Sequence, residues 1–161
     1  MDASDLAKRD RRPLHPSARS SARLGLGEVD VIAPGLLHVR LAGSLQLEHI
    51  ESMMIAVTQE IADGKRVIVA IDADDVHAYR SEVRKMFQGW LRDIQPEVEA
   101  VWILYRSPVV KMGISLMNAF TGGLIQGFND HEAFDAALLE ATRKAKASAL
   151  RKANYKPGAR L

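Results

Sequence analysis

The chain has 161 residues, of which 47% are hydrophobic and 26% charged, and its formal net charge is +2. Cysteine is absent, which excludes disulfide bonds, a thiol nucleophile and any cysteine-ligated metal site. No apolar run approaches the roughly 18 residues that a membrane-spanning helix needs, and the N-terminal stretch lacks the apolar segment of a secretory signal. The length favours one domain, and we expect a cytoplasmic protein.

The charges are distributed unevenly along the chain. Residues 1–26 contain six basic and three acidic side chains, residues 27–139 nine and sixteen, and residues 140–161 seven and one. Without apolar periodicity, residues 1–26 are expected to be a disordered basic arm. We expect a folded domain at 27–142 and a basic helical extension or tail at 143–161. These basic ends are either solubilising segments or weak contacts for nucleic acid or an anionic membrane.

The first predicted elements are two strands and a helix. Residues 28–33 and 37–42 each alternate in polarity, and the Pro34-Gly35 pair between them predicts an antiparallel hairpin. Apolar residues then recur at spacings of three and four, which indicates an amphipathic helix that ends near Gly64. The residues of this apolar stripe are Leu47, Ile50, Met54, Val57 and Ile61.

The next stretch reads as a buried strand followed by an acidic loop and a second helix. Every side chain from Val67 to Ile71 is apolar, which is typical of a strand covered on both faces. Three aspartates follow within four residues and predict a loop. From Val83 the apolar period becomes helical. In open α/β sheets the binding crevice lies at the carboxyl ends of such strands, so we expect the functional surface there.

The remaining pattern predicts a strand, a helix, a short strand and a last helix. They are expected at 98–105, from Ser107 to Gly122, at 124–128 and from Asn129 past Leu150. Ser107 before a proline is a typical helix cap, and Asn129 with Glu132 has capping-box spacing. The resulting order, β-β-α-β-α-β-α-β-α, predicts an α/β fold with a mostly parallel, mixed sheet and helices packed against it.

Three segments in this order resemble the STAS superfamily (sulfate transporter and anti-sigma-factor antagonist), particularly its SpoIIAA-like branch. Residues 37–45 resemble the family's strand that leads into its first helix, residues 67–72 its central strand ending in Asp, and residues 125–134 its last strand and turn. The likeness spans about residues 28–140. It implies a STAS-like fold and a regulatory, non-enzymatic role. The implied partner is an anti-sigma factor, a kinase or another regulator, or a second copy of the chain.

The resemblance also draws attention to Ser81. Partner-switching members of the family carry an Asp-Ser-Ser-Gly motif at the start of the second helix, where a kinase phosphorylates a serine. Ser81 matches that serine in position, whereas Arg80, Glu82 and Val83 replace the other three residues. Ser81 can be a helix cap or a regulatory phosphoserine, because a helix N-terminus stabilises both a hydroxyl acceptor and an added dianion.

The candidate partner surface is therefore the crevice around residues 72–84. Its residues are Asp72, Asp74, Asp75, Tyr79, Arg80, Ser81 and Arg84. The three carboxylates are ligands that Mg²⁺ or Ca²⁺ would accept, but no further ligand set accompanies them, so we expect a solvated turn without metal or other cofactor. No phosphate-binding loop or nucleophile motif occurs, and no enzymatic activity is expected.

A second interpretation concerns the helix at residues 109–120. Met112, Leu116, Met117 and Phe120 form a broad apolar patch, and adaptable methionine-rich surfaces suit small apolar ligands or lipids. A broad apolar cavity in the structure would favour this interpretation, whereas an acidic groove without a cavity would favour a protein partner.

Overall fold

The computed structural model describes residues 26–155 and 157–158, which form five strands and four α-helices in the order expected from the sequence. The strands are β1 (Leu26–Ala33), β2 (Leu36–Leu45), β3 (Val67–Tyr79), β4 (Val98–Tyr105) and β5 (Ile125–Phe128). The helices are α1 (Leu47–Ala62), α2 (Ser81–Ile94), α3 (Pro108–Thr121) and α4 (His131–Asn154), with a 3₁₀ turn at Gln95–Glu97. The predicted arm at 1–26 lies outside the described residues except for Leu26, which begins β1.

The strands lie in the order β1-β2-β3-β4-β5, so β3 is central. β1 pairs antiparallel with β2, and every other pair is parallel, which confirms the predicted mixed sheet. The carboxyl ends of the four parallel strands therefore meet at one edge of the sheet, which we call the carboxyl edge. None of the helices in the described part of the chain is both long and apolar enough to cross a bilayer.

The turn between β1 and β2 requires glycine. Gly35 has a φ of 75°, and a Cβ atom there would lie 2.5 Å from the carbonyl oxygen of Arg66. The N–H of Gly35 donates to the Glu60 carboxylate at 2.9 Å. The hairpin is thereby tied to the end of α1 and to the start of β3.

Helices α1, α2 and α3 cover one face of the sheet and form the main core. The predicted apolar faces point inward, since Ile50 and Val57 of α1 and Val83, Phe87 and Leu91 of α2 are buried. Helix α3 begins as expected, because the Ser107 hydroxyl accepts a hydrogen bond from the Val109 N–H at 3.2 Å and Pro108 follows the cap.

Among the elements that the structure describes, helix α4 is the one that covers the opposite face. Phe134 packs against Ala70 of β3 and Leu104 of β4, and its ring meets that of Phe128 edge-on at 5.7 Å between centroids. Its cap is Asp130, whose carboxylate accepts from the Glu132 N–H, so the predicted cap at Asn129 is wrong by one residue. The helix continues unbroken to Asn154, which places the expected domain boundary at 142/143 inside it.

Phe134 should carry much of the attachment of α4 to the sheet. It is 1% exposed, whereas Leu139 on the same helix is 53% exposed. We expect Phe134→Ala to lower the free energy of unfolding by about 3–5 kcal/mol, because it removes a buried ring, and Leu139→Ala to change it by less than about 0.5 kcal/mol. Denaturant unfolding of both variants measures this, and similar losses would contradict the packing of α4 described above.

Candidate partner-binding site

The predicted acidic loop is part of strand β3. The strand continues to Tyr79, and β2 continues beside it to Leu45. Their last residues pair, from Ala42 opposite Asp75 to Leu45 opposite Tyr79. Pairing with β4 ends earlier, at Ala73. The extension forms because Val76 is buried in the main core, which outweighs the turn preference of the aspartates. The carboxyl edge therefore projects as a two-stranded ribbon.

Asp74 of β3 connects the segments that follow β4 and β5 at the carboxyl edge. Its carboxylate, only 11% exposed, accepts a hydrogen bond from Arg106 at 2.5 Å and lies 3.2 Å from Nε2 of His131. Arg106 follows β4, and His131 begins α4. A partly buried carboxylate needs such partners, and here they connect the ends of three neighbouring elements. We call Asp74, Arg106 and His131 the edge cluster.

Sequence reasoning missed two members of the edge cluster. Arg106 and His131 lie 32 and 57 positions after Asp74, and nothing in their spacing links them to it. The predicted strand order could have indicated the cluster, because Arg106 and His131 each follow a strand that is parallel to β3. Side chains after neighbouring parallel strands meet at the same edge of a sheet.

The three aspartates have different environments. Asp72 is half-buried, and its carboxylate accepts a hydrogen bond from the backbone N–H of Asp74 at 3.1 Å. The side chain of Asp74 itself contacts Arg106 and His131, so both carboxylates have partners within the protein. Asp75 is exposed, as is His77 two residues later. Within residues 26–155 and 157–158, no group of three or more acidic or histidine side chains is arranged to hold a metal ion.

Helix α2 begins beside this ribbon with Ser81 exposed on its first turn. The cap position is Arg80, which has extended backbone and no side-chain cap hydrogen bond. Ser81 is the first helical residue, so its interpretation as the cap is wrong. The Arg80 guanidinium lies 3.6 Å from the Glu82 carboxylate, and both side chains are exposed.

Tyr79 and Arg84 point toward the interior instead of outward. The Tyr79 hydroxyl donates to the Val109 carbonyl oxygen at 3.3 Å, and a Cβ atom on Gly113 would approach that hydroxyl to 2.6 Å. Tyr79 thus fills the space that the missing side chain at Gly113 leaves on α3. Both Tyr79 and Arg84 are half-buried and line a cavity that is partly open to the surface.

This cavity lies between the sheet and helices α1, α2 and α3. Its volume is about 80 Å³, and its wall presents apolar surface only. Representative lining residues are Leu41, Val76, Val83, Phe87, Ile114 and Met117. Of the predicted apolar patch on α3, only Met117 is buried there, whereas Met112, Leu116 and Phe120 are exposed on the outer side of the helix. The patch is therefore two separate surfaces.

Comparison with known proteins identifies the fold. No family model matches the chain, and no curated protein is detectably similar to it in sequence. An uncharacterized protein of the DUF3478 family from Shewanella loihica, with a SpoIIAA-like fold, matches with a TM-score of 0.53 at 16% identity, covering 71% of this chain and 93% of that one.

Two anti-sigma factor antagonists are similarly close in structure. Unphosphorylated SpoIIAA matches with a TM-score of 0.53 at 16% identity, over 69% of this chain and 95% of that one. An antagonist from Mycobacterium paratuberculosis matches with a TM-score of 0.51 at 16% identity, over 71% and 93%. The chain thus has the SpoIIAA-like α/β fold that the sequence resemblance implied. At this level of identity the likeness establishes the fold alone.

We expect Asp74, a member of the edge cluster, to stabilise the fold, and exposed Asp75 to contribute little to stability. Because Arg106 is largely exposed, solvent screens its pairing, and we expect Asp74→Asn to cost about 1 kcal/mol and Asp75→Asn less than about 0.5 kcal/mol. A double-mutant cycle of Asp74→Asn with Arg106→Gln, measured by denaturant unfolding, should give a coupling energy of about 0.5–1 kcal/mol. A coupling energy of zero would mean that the pair does not hold the edge together.

Proposed function

We propose that the protein is a cytoplasmic, non-enzymatic regulatory module that binds a signalling or regulatory partner through the carboxyl edge, around residues 72–84. The observation that carries this proposal is the ribbon formed by the ends of β2 and β3. It presents exposed Asp75 and His77 next to exposed Arg80 and Ser81 at the start of α2. Solved proteins of the same fold include anti-sigma factor antagonists, which supports a regulatory role.

The physical properties of this edge suit a protein partner. Its exposed groups carry both signs of charge on a projecting surface, and complementary charges of this kind give an interface its specificity. The edge cluster fixes the neighbouring turns before binding, so less conformational entropy is lost on association. An anti-sigma factor, a kinase or another regulator would meet these requirements, and so would a second copy of this chain.

Ser81 is the proposed point of control. Its hydroxyl is exposed at the first helical residue, where a phosphate would be stabilised by free backbone N–H groups and by Arg80. SpoIIAA, which shares the fold, is known in phosphorylated and unphosphorylated forms. Phosphorylation would add nearly two negative charges to the carboxyl edge, which already carries Asp75, and would weaken binding to a partner that presents acidic groups.

Substitutions of Ser81 should separate binding from folding. Because Ser81 is not the helix cap, we expect Ser81→Ala and Ser81→Asp to change the free energy of unfolding by less than about 0.5 kcal/mol. Ser81→Asp should weaken partner binding by on the order of 1–3 kcal/mol. The partner is first isolated by affinity purification with the full chain from its native cell, and the variants are then titrated against it by calorimetry.

The matched control for Ser81→Asp is Ser52→Asp. Ser52 is an exposed serine on α1, outside residues 72–84, and receives the same charge. We expect Ser52→Asp to bind the partner as tightly as the wild-type chain. Equal affinity of the Ser81→Asp and Ser52→Asp variants would place the binding surface elsewhere.

A second candidate function is the binding of a small apolar molecule. The cavity between the sheet and helices α1, α2 and α3 favours this function. One water needs roughly 10–15 Å³, so the observed volume of about 80 Å³ admits a molecule of a few carbon atoms but not a lipid chain. The absence of polar surface in the wall would select against polar ligands. Of the four residues predicted for this role, Met117 lines the cavity, whereas the exposed Met112, Leu116 and Phe120 would not contact such a ligand.

Filling the cavity tests this second function. Val83 lines the cavity, whereas Val57 is equally buried but lies outside it. We expect Val83→Leu to be tolerated, because the added methylene enters empty space, and Val57→Leu to cost about 1–3 kcal/mol through overpacking. Xenon, a small apolar probe, should raise the melting temperature of the wild-type protein but not that of the Val83→Leu variant. Equal costs of the two substitutions, or no effect of xenon, would argue against a usable cavity.

A further inference from the structure

The second half of α4 carries a dense set of basic side chains. Between Ala141 and Tyr155 there is no acidic residue, and all five basic side chains are exposed. We call these five residues the basic patch: Arg143, Lys144, Lys146, Arg151 and Lys152. Only Lys144 has a carboxylate partner within residues 26–155 and 157–158, namely Glu140 at 3.8 Å. The charge of the patch is therefore almost uncompensated by the described part of the protein.

Large apolar side chains are exposed among these basic residues. Leu150 is 64% exposed and Tyr155 is 74% exposed. Arg143, Lys146 and Leu150 are spaced three and four residues apart, so they share one side of the helix. The buried residues of α4, Phe134 and Ala141, face the sheet on the other side. The outer side of α4 thus combines cations with an exposed leucine, which no contact with the domain explains.

The basic surface extends onto the domain beside α4. A broad groove of about 910 Å³ runs between α4 and the amino-terminal ends of the strands. Its charged lining residues are Lys65, Arg66, Lys144, Lys152, Glu99 and Glu140, so the basic side chains outnumber the acidic ones, and Trp102 also lines it. Lys65 is paired with Glu60 at 3.3 Å, whereas Arg66 is exposed and has no carboxylate partner in the described residues.

We propose that the basic patch of α4 docks the protein on an anionic lipid bilayer. Cations near such a surface are attracted to its acidic headgroups, and leucine and tyrosine at the headgroup level gain from partial burial. A nucleic acid would use the same cations, but its phosphate backbone would leave Leu150 exposed to water. The combination of the cations Arg143 and Lys146 with exposed Leu150 on the outer side of α4 therefore favours a bilayer.

The position of the patch keeps the carboxyl edge free. α4 begins at His131 in the edge cluster and runs for 24 residues, a length of about 36 Å, to the opposite end of the sheet. A bilayer bound at the far end would therefore leave residues 72–84 directed away from the membrane. Bilayer binding and partner binding use separate surfaces, so one can fail in an experiment without the other.

Vesicle sedimentation with the full chain tests the proposal. The probes are vesicles of phosphatidylcholine alone and vesicles with 30% phosphatidylglycerol, at about 0.1 M salt. We expect binding only to the anionic vesicles. Each basic residue near a bilayer contributes about a fivefold change in affinity, so Arg143→Gln with Lys146→Gln should weaken binding about 25-fold. Leu150→Ser should weaken binding to vesicles severalfold.

The control variant carries Lys85→Gln and Arg92→Gln. Both residues are exposed on α2, on the other face of the sheet, and their replacement removes the same charge. Equal weakening by the two double variants would show that net charge and not the basic patch is responsible, which would overturn the proposal. So would the absence of binding to anionic vesicles by the wild-type chain.

A DNA duplex is the competing ligand. If the duplex binds more tightly than the anionic vesicles, and Leu150→Ser affects neither ligand, the basic patch is a nucleic-acid contact and the proposal is wrong. We expect instead that Leu150→Ser lowers the affinity for vesicles and leaves that for DNA unchanged. Circular dichroism of every variant verifies that α4 remains folded.

Discussion

The burial of β3 on both faces is the constraint on which the rest of the structure depends. Val69 and Ile71 point into the core formed with α1, α2 and α3, and Ala70 points the other way, beneath Phe134 of α4. Each buried aliphatic side chain contributes roughly 1.5–3 kcal/mol by its removal from water. The small side chain of Ala70 leaves room for the aromatic ring. One strand thereby fixes the position of helices on both sides of the sheet.

The shape of the carboxyl edge depends on the same strand. Because Val76 is buried in the core, β3 cannot turn away at the aspartates, and it carries β2 with it as a projecting ribbon. Asp74 is then held where the ends of β4 and β5 arrive. Arg106 compensates its partly buried charge, and Nε2 of His131 lies 3.2 Å from the same carboxylate. The side chains on the ribbon and on the first turn of α2 that make no contact with the core, such as Asp75 and Ser81, remain exposed to solvent.

The sequence predicted the element order, the mixed sheet and the buried faces of α1 and α2, because these depend on periodicities within a single segment. The extension of β3 could not be predicted in this way, since local residues favour a turn and the burial of Val76 and the pairing with β2, which outweigh that preference, are tertiary contacts. Helix α3 is apolar on nearly every side, so periodicity alone did not separate buried Met117 from exposed Met112. The edge cluster depends on sheet order, which no local pattern contains.

Hydrogen exchange of the free, full-length protein tests the central structural claim, that β3 continues as a paired strand to Tyr79. We expect that, among residues 76–79, the backbone amides directed toward β2 exchange far more slowly than that of Asn129 in the turn before α4, because they are hydrogen-bonded within the ribbon. Exchange of every amide of residues 76–79 as fast as that of Asn129 would mean that the segment is the loop which its aspartates suggest, and the proposed edge would lose its structural basis.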